Sequence, residues 1–149
     1  MPQKTMRLSY FSVMAYLLTG RRAYRGDADS PAGFLKLTTT GRKSGKPRTV
    51  DLLYIRDGAA YALTASNGGR PRHPGWLFNV RSNPQVTIDV HGTRLRAVAE
   101  VVGPEKRPAL WAHLLELAPF YAGYEKRVRR EIPMVLVRPI DEPDGERAG

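Results

Sequence analysis

Residues 38–48 form the stretch of this sequence with the clearest chemical signature, a basic segment that joins two predicted strands. No acidic residue occurs between Asp29 and Asp51 to neutralise its four cations. Unopposed cations attract phosphate and carboxylate groups. The segment therefore predicts an anion-binding loop, and a solvated basic hairpin is the alternative. The four cations are Arg42, Lys43, Lys46 and Arg48.

Two glycines and a serine add hydrogen-bond donors to the same segment. Gly41 and Gly45 allow positive φ angles, which turn backbone N–H groups toward one concavity, and Ser44 adds a hydroxyl. The spacing is not that of a P-loop, because the glycines lie too close together and Pro47 takes the place of the magnesium-binding Ser or Thr. We therefore expect anion binding without ATP hydrolysis.

A second basic, glycine-rich segment covers residues 66–76 and also lacks acidic residues. It begins with Ser66 and Asn67 at the end of a predicted strand, and it leads into a helix that Pro74 can open. Free N–H groups and the helix dipole favour an anion, or the polar edge of a ring, at such a position. The segment predicts a second half of the same binding site.

A third candidate is aromatic. Tyr121 and Tyr124 lie three residues apart, so a helix would place both on one face. Their phenols are candidates for donating a hydrogen bond or a proton to a substrate, and a buried aromatic pair is the alternative.

Several other chemistries are excluded or unsupported. The chain has no cysteine, which rules out disulfides, thiolate metal sites and cysteine nucleophiles. Its three histidines, His73, His91 and His113, show no metal-ligand spacing, so we predict no metal site. No Ser/His/Asp arrangement or pair of catalytic carboxylates is recognisable. Redox chemistry would have to come from a bound cofactor.

The elements around these segments are mostly strands. Apolar and polar residues alternate in several short runs, and Asp57-Gly58 between two such runs is a strong hairpin signal. Helical spacing occurs at residues 6–18, after Pro74, after residue 104 and from 120 to about 130. The predicted strands are residues 34–40, 49–56, 61–65, 86–90, 94–102 and 134–137.

This pattern predicts a mainly β fold of the α+β class, in which about six antiparallel strands curl into a small barrel with helices packed outside or across its mouth. We expect an N-terminal amphipathic helix and linker in residues 1–30, the barrel domain in residues 31–140, and a disordered tail in residues 141–149. A doubly wound parallel sheet is disfavoured, because the strands do not alternate with crossover helices.

The formal net charge of +10 favours anionic partners but does not choose among them. The apolar run near the N-terminus is too short to span a bilayer and ends in Gly20-Arg21-Arg22, so we expect a cytoplasmic protein. Peripheral contact of the N-terminal helix with the inner face of the cell membrane is a further expectation.

The three segments, in this order, resemble the deazaflavin-dependent nitroreductase family of actinobacteria, which belongs to the split β-barrel flavin and deazaflavin oxidoreductases. The resemblance covers about residues 34–139. It rests on motifs at 38–48, 65–69, 73–79 and 130–133, the last of which reads Arg130-Glu131-Ile132-Pro133.

The resemblance implies an FMN-binding split-barrel-like fold that binds coenzyme F-420, an 8-hydroxy-5-deazaflavin with a phosphodiester and an oligoglutamate tail. It implies that the phosphate and tail are held by Arg42, Lys43, Ser44 and Arg48. It implies that the deazaflavin is lined by Ala65, Ser66, Asn67, Gly75, Trp76 and Asn79. Tyr121, and after it Tyr124, would orient or protonate the acceptor. Ala118 stands where the family often has another tyrosine, which affects the expectation for bulky nitroimidazoles.

By this resemblance the protein would be an oxidoreductase that transfers a hydride from reduced F-420 to a quinone, a nitro compound or another conjugated acceptor. FMN is the alternative cofactor. Rival functions are a non-catalytic deazaflavin or lipid carrier of the same fold and a small basic nucleic-acid-binding barrel, although no nucleic acid is expected as a partner. The sequence leaves the oligomeric state open.

Overall fold

A computed structural model describes residues 30–140, which form a closed antiparallel barrel of six strands with three α-helices. The strands are β1 (Ala32–Thr40), β2 (Pro47–Asp57), β3 (Ala60–Thr64), β4 (Gln85–Val90), β5 (Thr93–Val101) and β6 (Met134–Pro139). The helices are α1 (Gly75–Ser82), α2 (Arg107–Leu117) and α3 (Tyr121–Arg127), and a 3-10 turn covers Asn67–Gly69. Neighbouring strands follow the order β1-β2-β3-β6-β5-β4 around the barrel. The predicted fold class is confirmed.

The barrel interior is built from the residues that alternate inward on all six strands. On β1, for example, Leu35 and Leu37 point inward and belong to this interior cluster, while Ala32 and Phe34 lie on the opposite face. Trp76 and Leu77 of α1 join the interior cluster, so α1 closes one end of the barrel. This places the start of α1 next to the loops that follow β1 and β3.

A second apolar cluster covers the outside of the barrel. It combines outward residues of β1, β2, β3 and β6, such as Phe34 and Leu136, with the buried faces of α2 and α3. Trp111 of α2 and Tyr121 of α3 are both buried in it. The second cluster thus fixes α3, and with it both candidate tyrosines, against the barrel wall.

Two tight hairpins set the register of the strands. Gly58 has a φ of 60° between β2 and β3, as the Asp-Gly signal predicts. Between β4 and β5, His91 and Gly92 have φ angles of 51° and 85°. Positive φ at both central residues is the feature of a type I′ turn, whose twist suits a two-residue hairpin.

Several elements differ from the sequence-based expectations. The 3-10 turn at Asn67–Gly69 was not predicted, and α3 ends at Arg127 instead of continuing to about residue 130, because Val128 is extended. The predicted N-terminal helix and disordered tail lie outside the described residues. Within residues 30–140, no helix has the length and apolar character needed to cross a lipid bilayer.

Candidate functional site

A cavity of about 870 Å³ lies between the loop that joins β1 to β2, the loop that joins β3 to α1, the first turn of α1, and α3. Both basic segments therefore face one space. Of the residues expected to form the site, the cavity is lined by Arg42, Lys43, Ser44, Arg48, Ser66, Asn67, Gly75, Trp76, Asn79, Tyr121 and Tyr124. Ala65 does not line it: this residue is fully buried in the interior cluster. Lys46, the fourth cation of the first loop, does not line it either.

The first loop is closed by its own backbone. The Gly41 N–H donates to the Lys46 carbonyl at 2.8 Å, and the Gly45 N–H donates to the Gly41 carbonyl at 2.8 Å. Of the two glycines, only Gly45 has a positive φ, 71°, so the expectation of a positive φ at Gly41 is wrong. Gly41 leaves little room for a side chain, because a Cβ there would lie 2.6 Å from the Ser44 Oγ and 3.2 Å from the Lys46 carbonyl oxygen.

Asn79 of α1 fastens this loop to the barrel. Its Oδ1 accepts a hydrogen bond from the Arg42 N–H at 3.0 Å, and its Nδ2 donates to the Thr39 Oγ1 at 3.0 Å. Because Asn79 is buried, breaking these bonds would leave its amide without water to replace them, which costs free energy. The Asn79 amide thus fixes where the first loop sits relative to α1.

The lining of the cavity is cationic at the end that the first loop forms. Arg42, Lys43 and Arg48 from this loop are joined by Arg70 from the second. Among the described residues, Asp51 is the one acid in the lining, and Lys36 pairs with its carboxylate at 2.9 Å. An anion placed there would meet a net positive field.

The second loop and the start of α1 bring backbone donors to the cavity. Asn67, Gly68 and Gly69 all have positive φ angles, of 50°, 65° and 80°. The Asn67 Nδ2 donates across the loop to the Arg72 carbonyl at 2.9 Å. The first turn of α1 contains no acidic residue, and Gly75 at its start lines the cavity. A helix start of this kind favours a polar or negatively charged ligand atom.

Tyr121 is the buried phenol of the site. Its ring stacks on Phe120 with centroids 4.6 Å apart and meets Tyr124 edge-on at 5.5 Å. Burial raises the pKa of the Tyr121 phenol, the neighbouring Tyr124 phenol raises it further, and a hydrogen bond with the Ser66 side chain acts in the opposite direction. The phenol is therefore neutral across the physiological pH range and can donate a hydrogen bond to a bound molecule.

The apolar wall of the cavity was not identified from the sequence. Phe34, Val50, Leu52 and Leu53 from β1 and β2 line it beside Phe120. Alternation on a strand predicts which residues share a face but not whether a helix covers that face. Here Phe34 and Leu53 pack with α2 and α3 in the outer cluster, whereas Val50 and Leu52 pack against the interior cluster. No three metal-binding side chains of His, Cys, Asp or Glu cluster in the part of the chain that the structure describes.

Comparisons with known proteins identify a family for this chain. A family model described as "F420H(2)-dependent quinone reductase" matches residues 20–139. An F420H(2)-dependent quinone reductase of Mycobacterium tuberculosis is 41% identical over 121 residues, covering 79% of this chain and 80% of that protein. The structure of an F420-H2 dependent reductase, FDR-A, is similar with a TM-score of 0.65 at 37% identity, covering 76% of this chain and 99% of that chain. A chain described as a domain-swapped dimer has a TM-score of 0.66 at 34% identity, covering 86% and 96%.

The family model spans most of the chain, and the alignment with the mycobacterial relative, at 41% identity, covers four-fifths of that protein. The resemblance drawn from the motifs is therefore confirmed, as are the expected class of enzyme and the expected cofactor. The chain belongs to the F420H(2)-dependent quinone reductase family, and it is an oxidoreductase whose cofactor is coenzyme F-420.

Proposed function

We propose that this protein transfers a hydride from reduced F-420 to a quinone, and that both molecules meet in the 870 Å³ cavity. The observation that carries the proposal is that two acid-poor basic loops and a buried neutral phenol line one space. Pockets for cofactors and small substrates have volumes of roughly 300 to 1,000 Å³, so the cavity is large enough for a ring system of this kind.

The residues of the cavity fit the cofactor in charge and in hydrogen bonding. The phosphodiester and oligoglutamate tail carry several negative charges, which match the end lined by Arg42, Lys43 and Arg48. Ser66, Asn67, Gly75 and Trp76 would lie along the deazaflavin. The Asn79 side chain is already used by Thr39 and the first loop, so its contribution is to hold Arg42 and Lys43 in position.

The cofactor and the side chains of the cavity have different roles in the proposed reaction. When bound, reduced F-420 supplies the hydride, and no side chain here needs to form a covalent intermediate. Reduction of a quinone to a hydroquinone by one hydride consumes one proton as well. Tyr121 is neutral and lines the cavity, so we assign it the delivery of a proton to one acceptor oxygen. Tyr124, which meets it edge-on, orients the Tyr121 ring.

The apolar wall suits a conjugated, flat acceptor. Phe34, Leu53 and Phe120 line the cavity near Tyr121, and they would exclude water from the acceptor while leaving its carbonyl oxygens to the phenol. The names of the family and of its mycobacterial relative support a quinone. A nitro compound would need the same hydride and proton and belongs in the same assay. Ala118 is fully buried and does not line the cavity.

The test is to mix the purified protein with reduced F-420 and menadione and to follow the loss of reduced F-420 by absorbance. We expect oxidation that depends on protein concentration, and a Tyr121→Phe variant that is slower by roughly a hundredfold or more, as for loss of a general acid. Tyr124→Phe is the matched control, because it removes a phenol from the same helix and should cost much less. A rate equal to that of a protein-free mixture would refute the quinone assignment.

A further inference from the structure

Arg130 lies beyond α3, in the segment that leads to β6, and its guanidinium reaches back to the second loop. No acid is bound to it by an ion pair in the described part of the chain. Instead its Nη1 and Nη2 donors are shared among carbonyl oxygens and one imidazole nitrogen. Nη1 donates to the carbonyl of Ala65 at 3.2 Å and lies 3.0 Å from Nδ1 of His73, and Nη2 donates to the carbonyls of Ser66 at 3.0 Å, Arg70 at 3.2 Å and Arg72 at 3.2 Å.

These bonds determine which way the second loop presents its backbone. There are no cis peptide bonds among the described residues, and in a trans peptide the carbonyl and the N–H point in opposite directions. Because the carbonyls of Ala65 and Ser66 point at Arg130, the N–H groups of Ser66 and Asn67 point away from it. Both residues line the cavity. Without this cation the Ser66 carbonyl would keep, among the described residues, only the Gly69 N–H as a donor, at 3.0 Å, and these peptides would be held less firmly.

His73 takes part in the same arrangement as an acceptor. A guanidinium only donates hydrogen bonds, so Nδ1 of His73 accepts and the proton of the neutral ring is on Nε2. Burial lowers the pKa of His73, and the positive charges of Arg130 and of Arg81 on α1 lower it further. The ring of Phe78, with its centroid 6.0 Å away, is the aromatic group beside it. His73 is therefore neutral near pH 7.

We propose that Arg130, with neutral His73 as one of its acceptors, is the positioning residue that holds the second loop in the shape that binds F-420. This inference rests on the proposed function of the cavity. Arg130 does not line the cavity, so it acts through the loop and not by touching the cofactor. Arg130 of the motif at 130–133 thus supports the binding site through the second loop, although it is distant from that loop along the chain.

Arg107 provides a matched control. It is also an arginine that clamps backbone, because its Nε and Nη2 donate to the Ile132 carbonyl at 3.0 and 2.7 Å, and its guanidinium lies 4.8 Å from the Trp111 ring centroid. It does not line the cavity either. Replacing either arginine by alanine should lower the melting temperature, but only Arg130→Ala should alter cofactor binding.

The experiment is a titration of oxidised F-420 into the wild type, Arg130→Ala and Arg107→Ala, with melting temperatures measured in parallel. We expect Arg130→Ala to bind F-420 roughly tenfold or more weakly and Arg107→Ala to bind within about twofold of the wild type. Guanidinium chloride at a few millimolar, compared with the same concentration of NaCl, should restore part of the affinity of Arg130→Ala alone. Equal affinity of the two folded variants, or no rescue by guanidinium, would overturn the inference.

The role of His73 gives a pH-dependent readout. Protonation of His73 removes its acceptor atom and sets a cation against Arg130, so the loop should loosen as the pH falls through the lowered pKa of His73. The ratio of wild-type affinity to His73→Ala affinity should therefore shrink between about pH 7 and about pH 5. The cofactor's own titration is common to both proteins and cancels in this ratio. A constant ratio would contradict the role of His73. Wild-type protein that fails to bind F-420 at any pH would instead refute the function proposed for the cavity.

Discussion

Lys43 and Lys46 permit a sharp test of the anionic half of the site. Both belong to the first loop, both are exposed, and both carry one positive charge, but only Lys43 lines the cavity. Substituting either by alanine changes the net charge of the protein equally. Any difference in cofactor binding between the two variants therefore reports contact and not the overall field.

The expected losses of affinity differ because Lys43 would contact the cofactor directly, whereas Lys46 would act on it only through its charge at a distance. A hydrogen bond between Lys43 and a phosphate or carboxylate oxygen contributes about 1.5 to 3 kcal/mol, and the lower end applies because Lys43 is exposed. That end corresponds to roughly a tenfold loss of affinity in Lys43→Ala. A charge held about 10 Å from the anion in water contributes about 0.4 kcal/mol before screening, so Lys46→Ala should lose less than about twofold at physiological salt.

The assay is a fluorescence titration of oxidised F-420 with each variant at two ionic strengths. Wild type and Lys46→Ala should both weaken as salt is raised, and Lys43→Ala should weaken less because one contact is already lost. Equal losses in the two variants would mean that the loop attracts the cofactor only through its net charge. The geometric reasoning about the cavity would then be refuted.

Three further predictions concern single positions. Gly41→Ala should weaken F-420 binding severalfold with little loss of melting temperature, because the Cβ of the alanine would displace the Ser44 hydroxyl that now accepts a hydrogen bond from the Lys46 N–H. Unchanged binding would show that the closed loop is not needed for F-420 binding. Asn79→Ala should lower the free energy of unfolding by about 1 to 3 kcal/mol and also weaken F-420 binding. The control Asn83→Ala loses one bond to the Gln85 N–H and should leave binding intact, so similar binding in both variants would contradict the role given to Asn79. The pKa of Tyr121 is raised in the folded protein, so the stabilising contribution of its phenol is complete below about pH 10 and is lost as the pH rises above that value. The melting temperature of the wild type should therefore fall more steeply above about pH 10 than that of Tyr121→Phe, and parallel curves would argue against a buried neutral phenol.

The barrel was predictable because its signals are local. Alternating residues on each strand and the Asp57-Gly58 turn predict strands and one hairpin without reference to the rest of the chain. The ends of elements that depend on distant contacts were less predictable. The 3-10 turn at Asn67–Gly69 lies in a loop whose carbonyls are held by Arg130, 64 residues after Ser66, and no local pattern encodes that bond.

The candidate site was predictable in its charged part and not in its apolar part. The first loop is visible in the sequence as four cations without an acid, and three of them line the cavity. Val50 and Leu52 instead look like ordinary strand residues, and only the structure shows that they pack against the edge of the interior cluster and are left half-exposed beside the cavity. Asn79 lines the cavity as expected, but its bonds to Thr39 and to the Arg42 N–H join residues about 40 positions apart, and no local pattern predicts them.

The most direct test of the central claim is a crystal structure of the protein with oxidised F-420. The predicted result has the phosphodiester within hydrogen-bonding distance of Lys43 or Arg48, and the deazaflavin between the second loop and the Tyr121 ring. A complex in which the cofactor lies outside this cavity, or contacts only one of the two basic loops, would contradict it.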